Sequence, residues 1–410
     1  MTQKIALAIL LAASTALPAM AQETRTITGE IAYLQRIALP EVAQVRAEVR
    51  GPHDVLLAQY NQPTGGAQVP LPFTLEIPDD VTARLTVSIA FEGQVRWLAP
   101  SVDLPLGGDD IALGTLQAAP FVAAGFTSSF NCEGEIISAG FVNDTIVITR
   151  EDGSQRIMPQ VIAASGAKFA DPDNPDQTFF WNKGDNATMR MDGILSECAV
   201  VADAQAAPWR ASGFEPGWLI EITGDNYTLT RMDEDDVIGV LPEPTWQQGA
   251  VVWAISNPEM QLRAAPEVCY DNATGMPHPE TVSLTLGDGT VLQGCGGNPA
   301  SLLQGETWRV TDLNDLGVPS DGDGLIRFAA DGSVSGQSFC NNFIGSYEIG
   351  GEAISMGHLA STLKICGAQA DYREEGFLKA LRDTVMFSFD ASGGLELRDL
   401  AGTVIIRASR

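Results

Sequence analysis

Short apolar runs separated by turn-forming clusters recur along almost the whole chain. Thr145 to Arg150 is followed by Asp152-Gly153, and Thr281 to Leu286 by Asp288-Gly289. A β-favouring run that ends at Asp-Gly marks a hairpin, because both residues tolerate the left-handed backbone of a tight turn. Strands are therefore predicted throughout, with one change of period. From about Ala370 to Arg382, Tyr372, Phe377, Leu378 and Leu381 line one face of an otherwise charged stretch, which predicts a helix. Small or breaker-rich stretches at Ala118-Ala119-Pro120, Ala204 to Pro208 and Gly296-Gly297-Asn298-Pro299 separate the patterned regions. The expected fold is mainly β: four small β-sandwich or β-barrel domains in tandem, over 24–118, 126–202, 207–297 and 302–409. The last is expected to be α+β, with the one clear helix.

The N-terminus has a different pattern. Lys4 precedes the apolar run Ile5 to Leu17, and Ala19-Met20-Ala21 presents the small residues after which a signal peptidase cuts. Residues 1–21 therefore read as a cleavable signal peptide, with the mature chain starting at Gln22. No Cys follows the cleavage site, so a lipid anchor is not expected. No later stretch reaches the roughly 20 apolar residues of a membrane-spanning helix, so no transmembrane anchor is expected either. The implied destination is the periplasm or the exterior, where disulfides persist.

The six cysteines fall as Cys132 and Cys198, Cys269 and Cys295, and Cys340 and Cys366. Read in order they suggest three consecutive disulfides, one in each of the last three units, although six cysteines formally allow other connectivities. Loops of these lengths would stabilise each unit by about 3 to 4 kcal/mol on the chain-entropy argument. A zinc site is not expected, because there is no Cys-x-x-Cys and His53, His278 and His358 are far apart. Asp171, Asp173 and Asp176, and the run Asp233 to Asp236, lack the glycine and glutamate of a calcium loop and read as solvated turns. No metal or cofactor is expected.

No Gly-x-Ser-x-Gly elbow occurs, and each isolated histidine reads as an ordinary surface residue, so the chain is expected not to be an enzyme. Charge narrows the partners further: 52 acidic against 24 basic side chains leave a formal charge of −28. Such a surface repels nucleic acid and attracts cationic proteins.

Four resemblances complete the picture. In the first unit, Ile27-Thr28-Gly29-Glu30-Ile31-Ala32-Tyr33, Arg36 to Pro40, Leu71-Pro72-Phe73 and Arg96-Trp97 resemble the YbaY-like and type III secretion pilotin-like lipoproteins, implying a small β-sandwich. The third, with Ala211 to Trp218, Cys269-Tyr270-Asp271 and Gly294-Cys295, resembles an uncharacterised β-rich envelope domain and receives no site. In the fourth, Glu306-Thr307-Trp308, Leu325 to Phe328, Cys340 to Tyr347 and Thr362 to Cys366 are similar to the META or HslJ-like domain, whose family suggests envelope-stress roles. Phe339 replaces the glycine usual before Cys-Asn, which is expected to alter the local backbone. Asn341 and Asn342 are expected to satisfy a tight turn through their side chains.

The second unit is the most informative. Phe130-Asn131-Cys132, Phe141 to Asp144, Ser165-Gly166-Ala167-Lys168-Phe169, Phe180-Trp181-Asn182-Lys183-Gly184 and Cys198 resemble the membrane-bound lysozyme inhibitors of c-type lysozyme. One departure is Phe169, where the family has Tyr; the ring is kept and a hydroxyl is lost. The resemblance implies a small β-barrel whose loops enter the lysozyme cleft, with Ser165 and Lys183 addressing the catalytic carboxyl groups. Taken alone, Ser165-Gly166 reads as a turn, Lys183 as an exposed hairpin residue and Trp181 as core. The expected partner is c-type lysozyme, and the expected function is inhibition by occupancy. Two other readings are a non-inhibitory envelope stress or scaffold protein and, third, a hydrolase of cell-wall sugars.

Overall fold

The structure, a computed structural model, describes residues 23–410 apart from 125–126, 134, 143, 151, 192, 202–207, 315–317, 319–323 and 352. The expected signal peptide, residues 1–21, and its expected cleavage site lie outside the described residues. The fold is mainly β, with a single α-helix among the described residues.

In the first unit the strand Leu71–Pro78 alternates buried and exposed positions without a break. It pairs antiparallel with Thr24–Ala32, which pairs parallel with Ile111–Gln117. The inward residues Ile27, Ile31, Phe73 and Leu75 meet Val45, Val87 and Ile89 of a second sheet. Two half-apolar sheets can satisfy each other only face to face, and a sandwich results. The second unit is a closed eight-stranded antiparallel barrel from Thr127–Cys132 to Ile194–Val201. The third is a nine-stranded sheet in which Trp209–Gly213 lies beside the late strand Val291–Gly296, so its beginning and end are hydrogen-bonded neighbours.

The fourth unit carries another nine-stranded sheet and the helix Ala368–Asp383. The buried line on this helix is Phe377, Ala380 and Leu381, the i, i+3, i+4 set of one helical face. Tyr372, expected on that face, is 63% exposed, and Ala380 belongs there instead.

Three disulfides join Cys132 to Cys198, Cys269 to Cys295 and Cys340 to Cys366. Phe339 adopts a left-handed φ of 69°. The backbone thus keeps the conformation that suits glycine, and the aromatic ring packs edge-on against Phe377 at 5.7 Å. Left-handed backbone costs a non-glycine residue about 1 to 2 kcal/mol, and the partly buried phenyl ring of Phe339 contributes an amount of the same order. Phe339→Gly is therefore expected to leave the stability of the fourth unit within about 1 kcal/mol of wild type, read as a nearly unchanged denaturant midpoint.

Units one and three, separated in sequence by the barrel, grip each other directly. The turn Pro52–Asp54 of unit one is followed by Val55, which is fully buried in the core of unit three with Ala211 and Val251. His53 lies edge-on to Trp209 at 5.2 Å and to Trp253 at 5.0 Å. Its Nε2 is 2.5 Å from Glu280 Oε1, while Trp209 Nε1 donates to Glu280 Oε2 at 2.6 Å. The sequence-based expectation of a surface histidine is thus corrected: His53 and Glu280 side chains are 16% and 12% exposed. Trp246 Nε1 of unit three also donates to Asp80 of unit one at 2.9 Å.

Candidate functional site

The barrel interior is filled by alternate residues of its strands, among them Phe130, Ile137, Ile148, Met158, Phe169, Phe180 and Met189. Cys132 and Cys198 face each other across the first and last strands, and their disulfide fastens the closing seam. Because neighbouring strand residues point to opposite faces, Phe180 pointing inward obliges Phe179, Trp181 and Lys183 to point outward.

That alternation builds the site. The Ser165 loop joins Gln155–Val161 to Ala167–Ala170, and Lys183 ends the next strand, Phe179–Lys183, just before the turn at Gly184. Ala167 pairs with Asn182, so Ser165 and Lys183 emerge at the same end of the barrel. Trp181 joins them. Its Nε1 donates to the Ser165 carbonyl at 2.7 Å, and Lys183 Nζ lies 3.6 Å from the centre of its ring. Gly166, at φ 68°, permits the approach: a Cβ there would lie 2.2 Å from the Asn182 carbonyl oxygen. Ser165 and Lys183 are both exposed. Trp181 is half-buried on the outer surface and is not core, contrary to what its hydrophobicity suggests.

Phe169 is 4% exposed and packs against Phe141 at 5.6 Å, so the ring does the work that needs no hydroxyl. Lys168, which sequence reading passed over, sits opposite Trp181 in register, its Nζ 4.6 Å from the Phe179 ring and 5.8 Å from the Trp181 ring. The period-two spacing of Phe179, Trp181 and Lys183 was the available signal for this outer face. At the barrel's other end, the turn at Asp152 and Gly153 meets unit one, where Ser101 N–H donates to the Asp152 carbonyl at 2.9 Å.

Other residues singled out in the sequence have structural occupations. Trp218 is buried, its Nε1 donating to the Gln293 carbonyl. Asn341 is 4% exposed and fully used: Nδ2 donates to the Lys364 carbonyl and to Glu374, and Oδ1 accepts from Lys364 N–H and the Thr362 hydroxyl. Asn342, expected to share that role, contributes its backbone N–H to Thr362 Oγ1, and its side chain faces solvent. Asp171 bonds the N–H of Asp173, a self-contained turn.

This is a chain of β modules with one loop-bearing barrel edge, and three of its modules match known families. Residues 22–103 match the type III secretion system lipoprotein chaperone family (YscW), 130–193 the membrane-bound lysozyme-inhibitor of c-type lysozyme family, and 301–410 the META domain. Such a combination is consistent with a multi-domain envelope protein, and among the described residues no helix is long and apolar enough to cross a membrane. Of solved structures, an alternative pilotin from the type II secretion system of Vibrio cholerae is 25% identical; the match covers 24% of this chain and 100% of the pilotin, with a TM-score of 0.21. A protein from Burkholderia xenovorans is 26% identical over 27% of this chain and 86% of its own, with a TM-score of 0.23. No curated protein matches the chain.

Proposed function

We propose that this protein is an exported, periplasmic inhibitor of c-type lysozyme that acts through the barrel edge bearing Ser165 and Lys183. The observation that carries the reading is the linkage of both residues to one tryptophan, through Ser165 O to Trp181 Nε1 and Lys183 Nζ to the Trp181 ring. The barrel's match to the lysozyme-inhibitor family supports it. Lysozyme works with one protonated and one ionised carboxyl group in a cleft. A lysine ammonium delivered among them, with a serine hydroxyl beside it, would form charge-assisted hydrogen bonds and exclude substrate. Occupancy suffices; the chain needs no catalytic group, metal or cofactor of its own.

Acidic surface charge would speed the encounter with a cationic lysozyme, and the loop contacts would set the residence time. Lys183→Ala is therefore expected to raise the dissociation rate about thirtyfold with little change in association, and Ser165→Ala about fivefold. The test is inhibition of egg-white lysozyme acting on cell walls at physiological ionic strength, with binding kinetics alongside. Full inhibition by a folded Lys183→Ala protein would overturn the assignment. The direct grip between units one and three favours a second reading, an envelope scaffold or stress protein, and absence of inhibition by the wild type towards several c-type lysozymes would select it.

A further inference from the structure

We infer that Lys168 is a second carboxylate-reading group beside Lys183, on a cationic strip that the barrel turns toward carboxyl groups in its partner's cleft. The inference rests on the inhibitor reading above, and it names the surface chemistry that reading leaves open. Phe169, Phe180 and Met189 point into the barrel. Their neighbours Lys168, Phe179, Trp181 and Arg190 therefore share the outer face, with Lys168 opposite Trp181 and Arg190 opposite Phe179. Cations and rings alternate along this face: Lys183 3.6 Å from the Trp181 ring, Lys168 5.8 Å from it and 4.6 Å from Phe179, and the Arg190 guanidinium 5.9 Å from Phe179.

How these cations are held matters more than their number. Elsewhere Arg150, Arg210 and Arg398 lie against carboxylates, which cancel their charge. Among the described residues no carboxylate lies within ion-pair distance of Lys168, Lys183 or Arg190. An aromatic face restrains an ammonium group without neutralising it. Among the described residues the strip is thus an ordered patch of positive charge with no carboxylate paired to it, on a chain whose formal charge is −28. A partner that is cationic overall but carries carboxyl groups in a cleft is drawn to the chain at large and oriented by this patch. Two ammonium groups flanking one indole present two positive charges to that cleft, with Lys183 at the tip of the edge and Lys168 on the flank behind it.

The experiment compares the full mature chain with its Lys168→Met, Lys168→Arg and Lys183→Ala variants, measuring inhibition of egg-white lysozyme and the dependence of affinity on salt. Methionine keeps length and packing and removes charge. Lys168→Met is expected to weaken binding about tenfold and to flatten the salt dependence, and Lys168→Arg to retain both. A loss of affinity with unchanged salt dependence, or one that arginine does not restore, would mean a packing role and overturn the inference. If Lys183→Ala weakens inhibition while Lys168→Met matches wild type, the strip fails and the inhibitor reading stands. If the wild type inhibits no c-type lysozyme, that reading fails, and the strip is decided by titration with a tetraglutamate peptide. Binding by wild type that is lost in Lys168→Met would uphold it, and no binding by wild type would overturn it.

Discussion

Gly166→Ala is expected to weaken lysozyme inhibition more than a hundredfold, the largest loss from any single methyl group on the barrel. The added Cβ would sit 2.2 Å from the Asn182 carbonyl oxygen and 3.0 Å from Lys183 Cγ. The first of these is backbone, hydrogen-bonded within the barrel, and cannot swing aside as a side chain would. The left-handed φ of 68° adds a further penalty of about 1 to 2 kcal/mol for a residue with a Cβ. Relief requires the Ser165 loop to lift from the strand, which breaks the Trp181 bond to the Ser165 carbonyl and displaces Lys183 in the same movement. Both proposed contacts are lost together, whereas Ser165→Ala or Lys183→Ala removes one. The barrel interior does not involve this position, so thermal unfolding of the second unit should shift far less than inhibition does. Equal inhibition by wild type and a folded Gly166→Ala protein would show that the loop geometry is irrelevant to binding.

Glu280→Ala should uncouple units one and three. Its two carboxylate oxygens are the partners of His53 Nε2 and Trp209 Nε1 in a nearly dry interface. Removing them leaves two buried polar groups without an acceptor, at a cost of about 3 kcal/mol. A multi-domain chain has no single unfolding free energy. The quantity to follow is therefore cooperativity: a shared transition of the two units in wild type should separate into two in Glu280→Ala. Glu280→Gln, which retains one acceptor oxygen, should have a smaller effect. Unchanged melting of Glu280→Ala would show that Val55 and the tryptophans hold the interface by apolar packing alone.

Much of the fold was legible in short-range pattern. The hairpins beginning at Thr145 and Thr281 follow from β-branched runs ending in Asp-Gly, and glycines 153 and 289 have the positive φ those turns require. Local pattern also carried the outer face of the barrel edge, since Phe180 inside dictates Trp181 outside. Hydrophobicity taken without register sent Trp181 to the core. The helix shows the same limit: Tyr372 is apolar enough to be assigned inward, but the 100° step from Phe377 and Leu381 gives the buried position to Ala380.

What could not be read was contact at long range. His53 and Glu280 are 227 residues apart, and nothing near either one marks the other. The roles proposed for Ser165 and Lys183 rest on resemblance. Their physical connection through Trp181 requires the strand register that places Ala167 beside Asn182. Phe339 is intermediate: the departure from glycine was visible, but the compensation by Phe377 lies across the core.

The contact between the Asp152 turn and Ser101 has a practical implication for how this chain could be handled. Successive turns of an antiparallel barrel alternate between its two rims, so the rim resting on the first unit is opposite the rim carrying Ser165 and Lys183. The first unit is in effect a handle. Attached to a solid support through that unit, the barrel would offer its opposite rim to the liquid, and the same polarity would let a fluorescent label or fusion partner be placed there without shadowing the loops that carry Ser165 and Lys183.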